Sequence, residues 1–285
     1  MSLPLPTIAS RVMTTPGYSF PKTLEKIRAI TTQLNAPLRV MESLIQSDPM
    51  LTAMILSQAE QANRGRESLR IDEAIKELGL GGIAGLAQGC MLVPEAARSR
   101  LAGNWSLAKA TGVMAPILAR IAQSHLPPDV LTKYDPGTLA TCGLLHDLGT
   151  PVALLRFPVE YARAEARLEA GDGPFGTLVK QELGAEAGDL GYILARNWSL
   201  PKIIQHVIRY HARPISTDEH VELCMVIHLS RFLVRACGFV TGADRFVDSI
   251  DLRITGALHL RLEDLAHATR EFLEAWEELE AFEPA

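Results

Sequence analysis

The chain has 285 residues, of which 47% are hydrophobic and 21% charged, and its formal net charge is −5. This length suffices for one large hydrophobic core or two modest ones. A mildly acidic chain with scattered Lys and Arg argues against broad non-specific nucleic-acid binding. Neither a membrane span nor a signal peptide is predicted, since every long apolar run is interrupted by polar residues. The four cysteines show no CxxC spacing, which indicates buried thiols in a reducing cytoplasm.

The first third of the chain predicts an extended segment followed by helices. Residues 1–20 carry three prolines without a sustained hydrophobic period, which favours an extended lead. A helical period begins at Pro21. Ser47-Asp48-Pro49 is a capping residue followed by proline, a pattern typical of a helix start. Another helix is predicted from Ile71 to Leu78, ending at Gly79.

A glycine-rich stretch from Gly79 to Gly89 follows. We interpret it as a tight turn between helices, where small residues allow close packing. The alternatives are a phosphate cradle or a helix-hairpin-helix turn that grips DNA phosphates. Neither fits well, because no Lys or Arg lies between Lys76 and Arg98.

The middle of the chain predicts a junction and then two helices. Pro94 and the polar residues 95–104 favour the junction, and a long helix is expected from Trp105. Pro116 inside that helix predicts a kink or a break. The next helix, over Leu139 to Leu148, would carry the adjacent pair His146-Asp147.

The remaining sequence is also helical in pattern, and no alternating strand pattern of useful length occurs. The sequence therefore predicts an all-α fold. The further helices are expected over residues 175–183, 185–196, 220–234 and 262–279, with another starting at Trp198-Ser199-Leu200-Pro201.

The pair His146-Asp147 lies between Gly143 and Gly149 at the end of an apolar run. A neutral imidazole and a carboxylate can bind one metal ion, and a carboxylate can bridge two. The pair alone is weak support for metal chemistry, because most such pairs lie on surfaces or cap helix ends.

Five stretches of the sequence, taken together and in order, resemble the HDOD family, the HD-related output domains of bacterial signal transduction. The resemblance covers about residues 20 to 214. The five stretches are IQSDP at 45–49, IDEAIKELG at 71–79, WSLA at 105–108, GLLHDLG at 143–149, and the region from Leu183 to His211.

The resemblance implies a degenerate metal site. HD hydrolases bind metal through a His on the first core helix, the His-Asp pair, further His residues and a late Asp. Here His146 and Asp147 are retained, whereas the first His falls at Trp105 or Asn104. The His expected after Leu183-Gly184 falls near Ala187, and the paired His at the end of the pattern survives only as His211.

The late Asp of the family pattern matches best to Arg231. An inward-pointing guanidinium would place a permanent cation where a ligand carboxylate belongs, and an Arg231–Asp147 ion pair would replace the metal. His211 is then interpreted as a core histidine rather than a ligand. A hydrolytic metal needs three or more protein ligands and an open position for water.

The residue patterns and the resemblance together divide the chain into four parts, and the two subdomains are expected to share an interface rather than to form one body. The four parts are an extended lead (1–20), an N-terminal helical subdomain (21–103), an HD-like helical subdomain (104–214) and a C-terminal helical extension (215–285). The extension would cap the HD-like half or form a homodimer interface.

The first functional hypothesis is a non-catalytic signalling module, a pseudoenzyme acting as a response-regulator output in the bacterial cytoplasm. It would contact signalling proteins or bind a nucleotide-like small ligand, and neither catalytic residues nor a cofactor are expected. The second is a phosphohydrolase acting on nucleotides or cyclic dinucleotides, with a divalent metal bound by His146 and Asp147 and the shell completed by His211. The third, a nucleic-acid-binding regulator using Gly79 to Gly89, ranks lower because of the acidic charge.

Overall fold

The computed structural model describes residues 3–33, 37–62, 70–241, 244 and 250–282. Within these ranges the chain is built from helices that pack around a continuous apolar core. The predicted all-α class is confirmed, with one addition. Two strands of two residues each, β1 (Tyr18–Ser19) and β2 (Met91–Leu92), pair in parallel.

The helices follow one another with short connections. Their bounds are α1 Leu5–Met13, α2 Pro21–Thr31, α3 Leu38–Gln46, α4 Pro49–Ala62, α5 Ile71–Gly89, α6 Glu95–Gln123, α7 Pro136–Leu145, α8 Gly149–Arg156, α9 Pro158–Glu169, α10 Phe175–Leu183, α11 Ala187–Asn197, α12 Lys202–Tyr210, α13 Val221–Ala236, α14 Leu252–Ala257 and α15 Leu262–Phe282.

Residues 1–20 are not simply extended, and the prediction for this segment is wrong from Leu5 to Met13. Pro4 precedes a nine-residue helix whose first turn also contains Pro6. Proline is tolerated there because the first N–H groups of a helix have no intrahelical acceptor. The helix buries Ile8 and Val12 and packs mainly against α11.

The predicted helix from Ile71 does end at Gly79, where the backbone is non-helical with φ of 63°, but the expected turn does not extend to Gly89. Residues 80–89 form a second helical segment, and the range Ile71–Gly89 is called α5 with a kink at Gly79. A left-handed φ is easily adopted by glycine alone. Beyond Gly79 the chain resumes helical geometry and buries Ile83 and Ala87, so tertiary packing offsets the low helix propensity of the other glycines.

Helix α6 corrects the predicted junction at residues 95–104. It is a single helix of 29 residues that runs through both the polar stretch and Pro116. The proposed boundary between residues 103 and 104 therefore falls inside one helix. Helix α6 packs against α7, α13 and α15. These tertiary contacts stabilise it although the polar stretch and Pro116 favour a break.

The predicted cap before α4 is confirmed and is fully buried. Asp48 accepts hydrogen bonds from the Leu51 N–H (3.1 Å) and from the Ser19 hydroxyl (2.5 Å). The Asp48 side chain thereby connects β1 to the start of α4 through hydrogen bonds. Burial raises the pKa of Asp48 to about 7, and the hydrogen bonds from Ser19 and the backbone oppose that shift.

The C-terminal helices pack on the HD-like half of the same chain. Helix α15 lies along α6, and fully buried Phe272 stands beside Trp276. The Lys109 ammonium lies 5.3 Å from the Trp276 ring, and Arg120 forms an ion pair with Glu271. The extension therefore covers the HD-like half, which is one of the two roles expected for it. The other role, a dimer interface, remains a prediction.

Among the described residues, one stretch, Pro136–Arg156, is apolar and long enough to cross a bilayer. However, 78% of its most apolar window is buried inside the protein, as in a core helix. The stretch is also interrupted at His146–Leu148, where α7 ends and α8 begins.

Candidate functional site

The His146-Asp147 pair lies between two helices, not within one as expected. Helix α7 ends at Leu145, three residues form a turn, and α8 begins at Gly149. The His146 ring is fully buried, and its Nδ1 lies 2.6 Å from the carbonyl oxygen of Gly143. His146 thus satisfies a carbonyl at the C-terminal end of α7, where such groups lack a helical partner.

Asp147 caps the next helix. One oxygen, Oδ1, accepts hydrogen bonds from the Thr150 backbone N–H (3.2 Å) and from the Thr150 hydroxyl (2.7 Å). The other, Oδ2, lies 3.4 Å from the Asn104 side-chain amide, which donates to it. A carboxylate at a helix N-terminus satisfies unpaired N–H groups and interacts favourably with the helix dipole. The two residues therefore connect α7 to α8 through their side chains.

Glycines allow two close helix crossings beside this turn. Gly143 of α7 meets Gly112 of α6, and a methyl group on Gly143 would lie 2.8 Å from the Gly112 Cα. Gly149 of α8 lies against α11, where a methyl group would lie 1.7 Å from the Ala187 carbonyl oxygen. Gly191 of α11 is the facing residue in the second crossing. The glycines around the His-Asp pair are thus required by packing.

His211 stacks against His146 in the core. It follows α12, and its ring centroid is 4.9 Å from that of His146 at an interplanar angle of 84°. The Nδ1 of His211 lies 3.1 Å from the Ile208 carbonyl oxygen. Because a carbonyl only accepts, the Nδ1 atoms of both neutral rings carry their protons and both Nε2 atoms present lone pairs. His228 adds a hydrogen bond from its Nδ1 to the His211 carbonyl (2.9 Å).

Both histidines are held neutral. Burial, together with the nearby positive charge of Arg231, lowers the pKa of His146 to about 3, against a smaller opposing effect of the Gly143 carbonyl. The pKa of His211 is also lowered by burial, then by His146 and Arg231, while Asp147 acts in the opposite direction. Arg231 lines the same cavity as His211, and its match to the late ligand position stays a prediction.

A cavity of about 800 Å³ opens beside this cluster. Asp147, His211 and Arg231 lie on its wall, while His146 is sealed behind them. Ala187, at the position of the missing third His, also lines the cavity, so a methyl group stands there. The remaining walls come from α9, the loop at residues 171–174, the first turns of α10 and α11, the end of α12, and Thr241 and Asp244 of the extension.

Trp105 does not join this group. Its ring packs edge-on against Phe20 with centroids 4.5 Å apart, and its neighbour Asn104 is the residue that reaches Asp147. Of the two residues, the structure brings only the Asn104 side chain to Asp147, and which of them matches the first His stays a prediction. The structure shows that Arg231 and Asp147 line the same cavity. An ion pair between them remains a prediction.

Sequence reasoning missed several residues of the cavity. Thr150 had a usable signal, because an Asp three residues before a Thr at a helix start is a capping pattern. Lys180, Arg209 and Arg213 had none, since they come from separate helices and loops that only the fold brings together.

The donor set does not fit a hydrolytic divalent metal. Asp147 is engaged by Thr150 and Asn104, Ala187 offers no ligand, and Arg231 brings a positive charge to the two imidazoles. In the described part of the chain, no three His, Cys, Asp or Glu side chains are arranged to hold an ion. A catalytic divalent site needs at least about three protein ligands and an open position.

The capping role of Asp147 leads to a stability prediction. Replacing it with Ala is expected to lower the free energy of unfolding by about 1 kcal/mol, whereas Asn, an equally good capping residue, should stay within about 0.5 kcal/mol of the wild type. Denaturant unfolding of the two variants without added metal checks this. Equal destabilisation by Asn and Ala would rule out the cap as the main role of Asp147.

Fold and site together define an HD-like helical protein with a cavity at the His-Asp turn. The HDOD domain family model matches residues 18–214, and the chain belongs to this family.

Three relatives show the extent of the similarity. An uncharacterized protein of Treponema pallidum (strain Nichols) is 25% identical over 244 residues, which cover 80% of this chain and 44% of that protein. The chain therefore spans less than half the length of this curated relative. The MmoQ response regulator of Methylococcus capsulatus str. Bath superposes with a TM-score of 0.64 at 19% identity, covering 90% of this chain and 98% of that one. A Shewanella amazonensis SB2B protein whose name includes phosphohydrolase gives 0.52 at 18% identity, with coverage of 94% and 93%. At these identities the two structures show a common fold.

Proposed function

We propose that this HDOD protein is a non-catalytic module of signal transduction, in which the former hydrolase cleft serves as a binding site. A single observation carries the proposal: the two retained residues of the metal motif are used as helix caps. His146 bonds to the end of α7 and Asp147 to the start of α8. Their presence thus has a structural reason that does not involve a metal.

The charge around the histidines supports the same interpretation. The Arg231 charge acts on His146 and His211, and a divalent cation placed between these rings would be repelled by it. The cavity itself is open, and its wall is mostly apolar with a few charged side chains, as is usual for small-molecule sites. A signalling protein as partner and a cytoplasmic location belong to the same proposal.

The second candidate function is a metal-dependent phosphohydrolase acting on nucleotides or cyclic dinucleotides. One observation favours it. Each of His146 and His211 donates Nδ1–H to a carbonyl, the arrangement that orients Nε2 toward a metal in many metalloproteins. Asp147 would have to exchange its Thr150 hydrogen bonds for a metal bond in this case.

A phosphatase assay separates the two candidates. The chain would be incubated with manganese, iron or magnesium and with p-nitrophenyl phosphate, bis-p-nitrophenyl phosphate and a cyclic dinucleotide. We expect no turnover above that of Asp147→Asn, which keeps the cap but is a poorer metal ligand. Metal-dependent turnover that disappears in Asp147→Asn would establish the hydrolase instead.

A further inference from the structure

The cavity carries a surplus of positive charge, although the chain is acidic overall. Among the residues that the structure describes, the lining contains four cations, Lys180, Arg209, Arg213 and Arg231, and three carboxylates, Asp147, Glu186 and Asp244. One of these carboxylates, Asp244, also pairs with Arg235, which lies outside the lining, at 3.2 Å. The described lining therefore has one cation more than it has carboxylates, in a chain of net charge −5. Such a local surplus attracts anions.

Three of the lining cations, Lys180, Arg209 and Arg213, are exposed, and with the partly buried Glu186 they define what we call the exposed end of the cavity. Glu186 is shared between Lys180, at 2.7 Å, and Arg213. Arg209 makes no ion pair within the described part of the chain, and its guanidinium stacks 4.6 Å from the Tyr192 ring centroid. Stacking of this kind fixes a planar guanidinium while leaving its N–H groups available to a ligand.

Two helices also begin at the cavity wall. Gly176 lies in the first turn of α10 and Gly188 in that of α11, and both line the cavity. The first N–H groups of a helix have no intrahelical acceptor and carry partial positive charge. The cavity wall therefore combines guanidinium, ammonium and backbone N–H donors, the groups that bind phosphate.

The buried end has the opposite hydrogen-bonding character. His211 is 95% buried, since its exposed fraction is 5%, and its Nδ1 is used by the Ile208 carbonyl. Within the described part of the chain its other ring nitrogen, Nε2, makes no hydrogen bond, and the residue lines the cavity. A neutral imidazole Nε2 is an acceptor, so a ligand has to present an O–H or N–H group to it.

We propose that the cavity binds a small phosphorylated molecule, with its phosphate at Arg209, Arg213 and Lys180 and a hydroxyl or amino group donating to His211. The three cations Lys180, Arg209 and Arg213 and the one carboxylate Glu186 leave two positive charges at this end. A phosphate monoester with two negative charges balances both of them, whereas a carboxylate balances one. The inference rests on the proposed function, because a bound hydrolytic metal would occupy the buried end.

Calorimetric titration of the whole chain, without metal, tests this with orthophosphate, ribose 5-phosphate and ribose as probes. Ribose 5-phosphate is expected to bind more tightly than orthophosphate, and ribose not measurably. Arg209→Gln should weaken both phosphate probes at least tenfold, the loss of one charge-assisted contact. Arg196→Gln is the matched control, because Arg196 stacks on the same Tyr192 ring, at 5.7 Å, without lining the cavity.

A second variant, at His211, tests the hydrogen bond that the ligand donates at the buried end of the cavity. His211→Phe keeps an aromatic ring and is expected to remove the advantage of ribose 5-phosphate over orthophosphate while leaving orthophosphate binding unchanged. The proposal is overturned if neither phosphate probe binds, or if Arg196→Gln weakens binding as much as Arg209→Gln. Metal-dependent release of phosphate from ribose 5-phosphate would instead overturn the proposed function and leave the phosphate-binding end intact.

Discussion

Gly149→Ala is expected to destabilise the protein by about 3 kcal/mol or more, at the upper end of overpacking effects. The added methyl group would lie 1.7 Å from the Ala187 carbonyl oxygen and 2.4 Å from its carbon. These are backbone atoms, so no side-chain rotation relieves the clash and helices α8 and α11 must separate. Since Asp147 caps α8 two residues earlier, the cavity wall would shift as well.

Urea unfolding of Gly149→Ala against the wild type measures this effect. Gly85→Ala is the matched control, because Gly85 lies in helix α5 and a methyl group there would meet no atom within 4 Å. Alanine at that exposed helical position should be neutral or stabilising by about 0.5–1 kcal/mol. Destabilisation of less than about 1 kcal/mol by Gly149→Ala would show that the crossing is not tight.

Acid is expected to weaken the fold well above the pH at which carboxylates titrate. Burial lowers the pKa of His146 to about 3 from an ordinary value of 6.5, and it lowers that of His211 as well. The unfolded chain takes up protons on both residues below about pH 6.5, whereas the folded chain does not. Their contribution is therefore fully present above pH 6.5 and is lost as the pH falls. Between pH 7.5 and 5 the loss should be on the order of 2–4 kcal/mol.

This measurement is best made in an Asp48→Asn background. The pKa of Asp48 is raised to about 7, so its contribution has the opposite sign and is lost as the pH rises from about 4 to 7. In that background His211→Phe should flatten the pH dependence of the unfolding free energy. His267→Gln, at an exposed position on α15, should leave the slope unchanged. A slope in His211→Phe equal to that of its parent would refute the assignment.

Much of the fold could be predicted because helical periods and capping residues act locally. The cap at Asp48 and the helix over Phe175 to Leu183 are examples, and both are found in the structure. The errors arise where tertiary contacts override local signals. Helix α6 continues through Pro116 because three other helices pack along it, and the exposed glycines of α5 are helical because Ile83 and Ala87 are buried.

Of the candidate site, only the His146-Asp147 motif could be predicted from the sequence. His146 and Asp147 stand out in the sequence, but their hydrogen bonds to Gly143 and Thr150 depend on a turn that was expected to be helical. The contact between His146 and His211 spans 65 positions of sequence and arises when α12 packs on α7. The cations at the exposed end of the cavity come from α10, from α12 and from the loop after α12. No local sequence pattern therefore predicts that they lie together.

On the proposed function, the use of His146 and Asp147 as caps is the reason that the metal motif persists without a metal. Replacing Asp147 would expose the start of α8, and replacing His146 would leave a carbonyl at the end of α7 without its partner. Selection for stability alone would then retain both residues. Arg231 and Ala187, which the resemblance matches to two of the ligand positions, both line the cavity.

Metal content tests the central claim most directly. The protein would be purified without a His tag and without chelators, offered manganese, iron, magnesium and zinc, and analysed for bound elements, with Asp147→Asn beside it. The account predicts a stoichiometry near zero in both proteins. About one ion or more per chain, lost in Asp147→Asn, would show that His146, Asp147 and His211 form a working metal site and that the protein is not a pseudoenzyme.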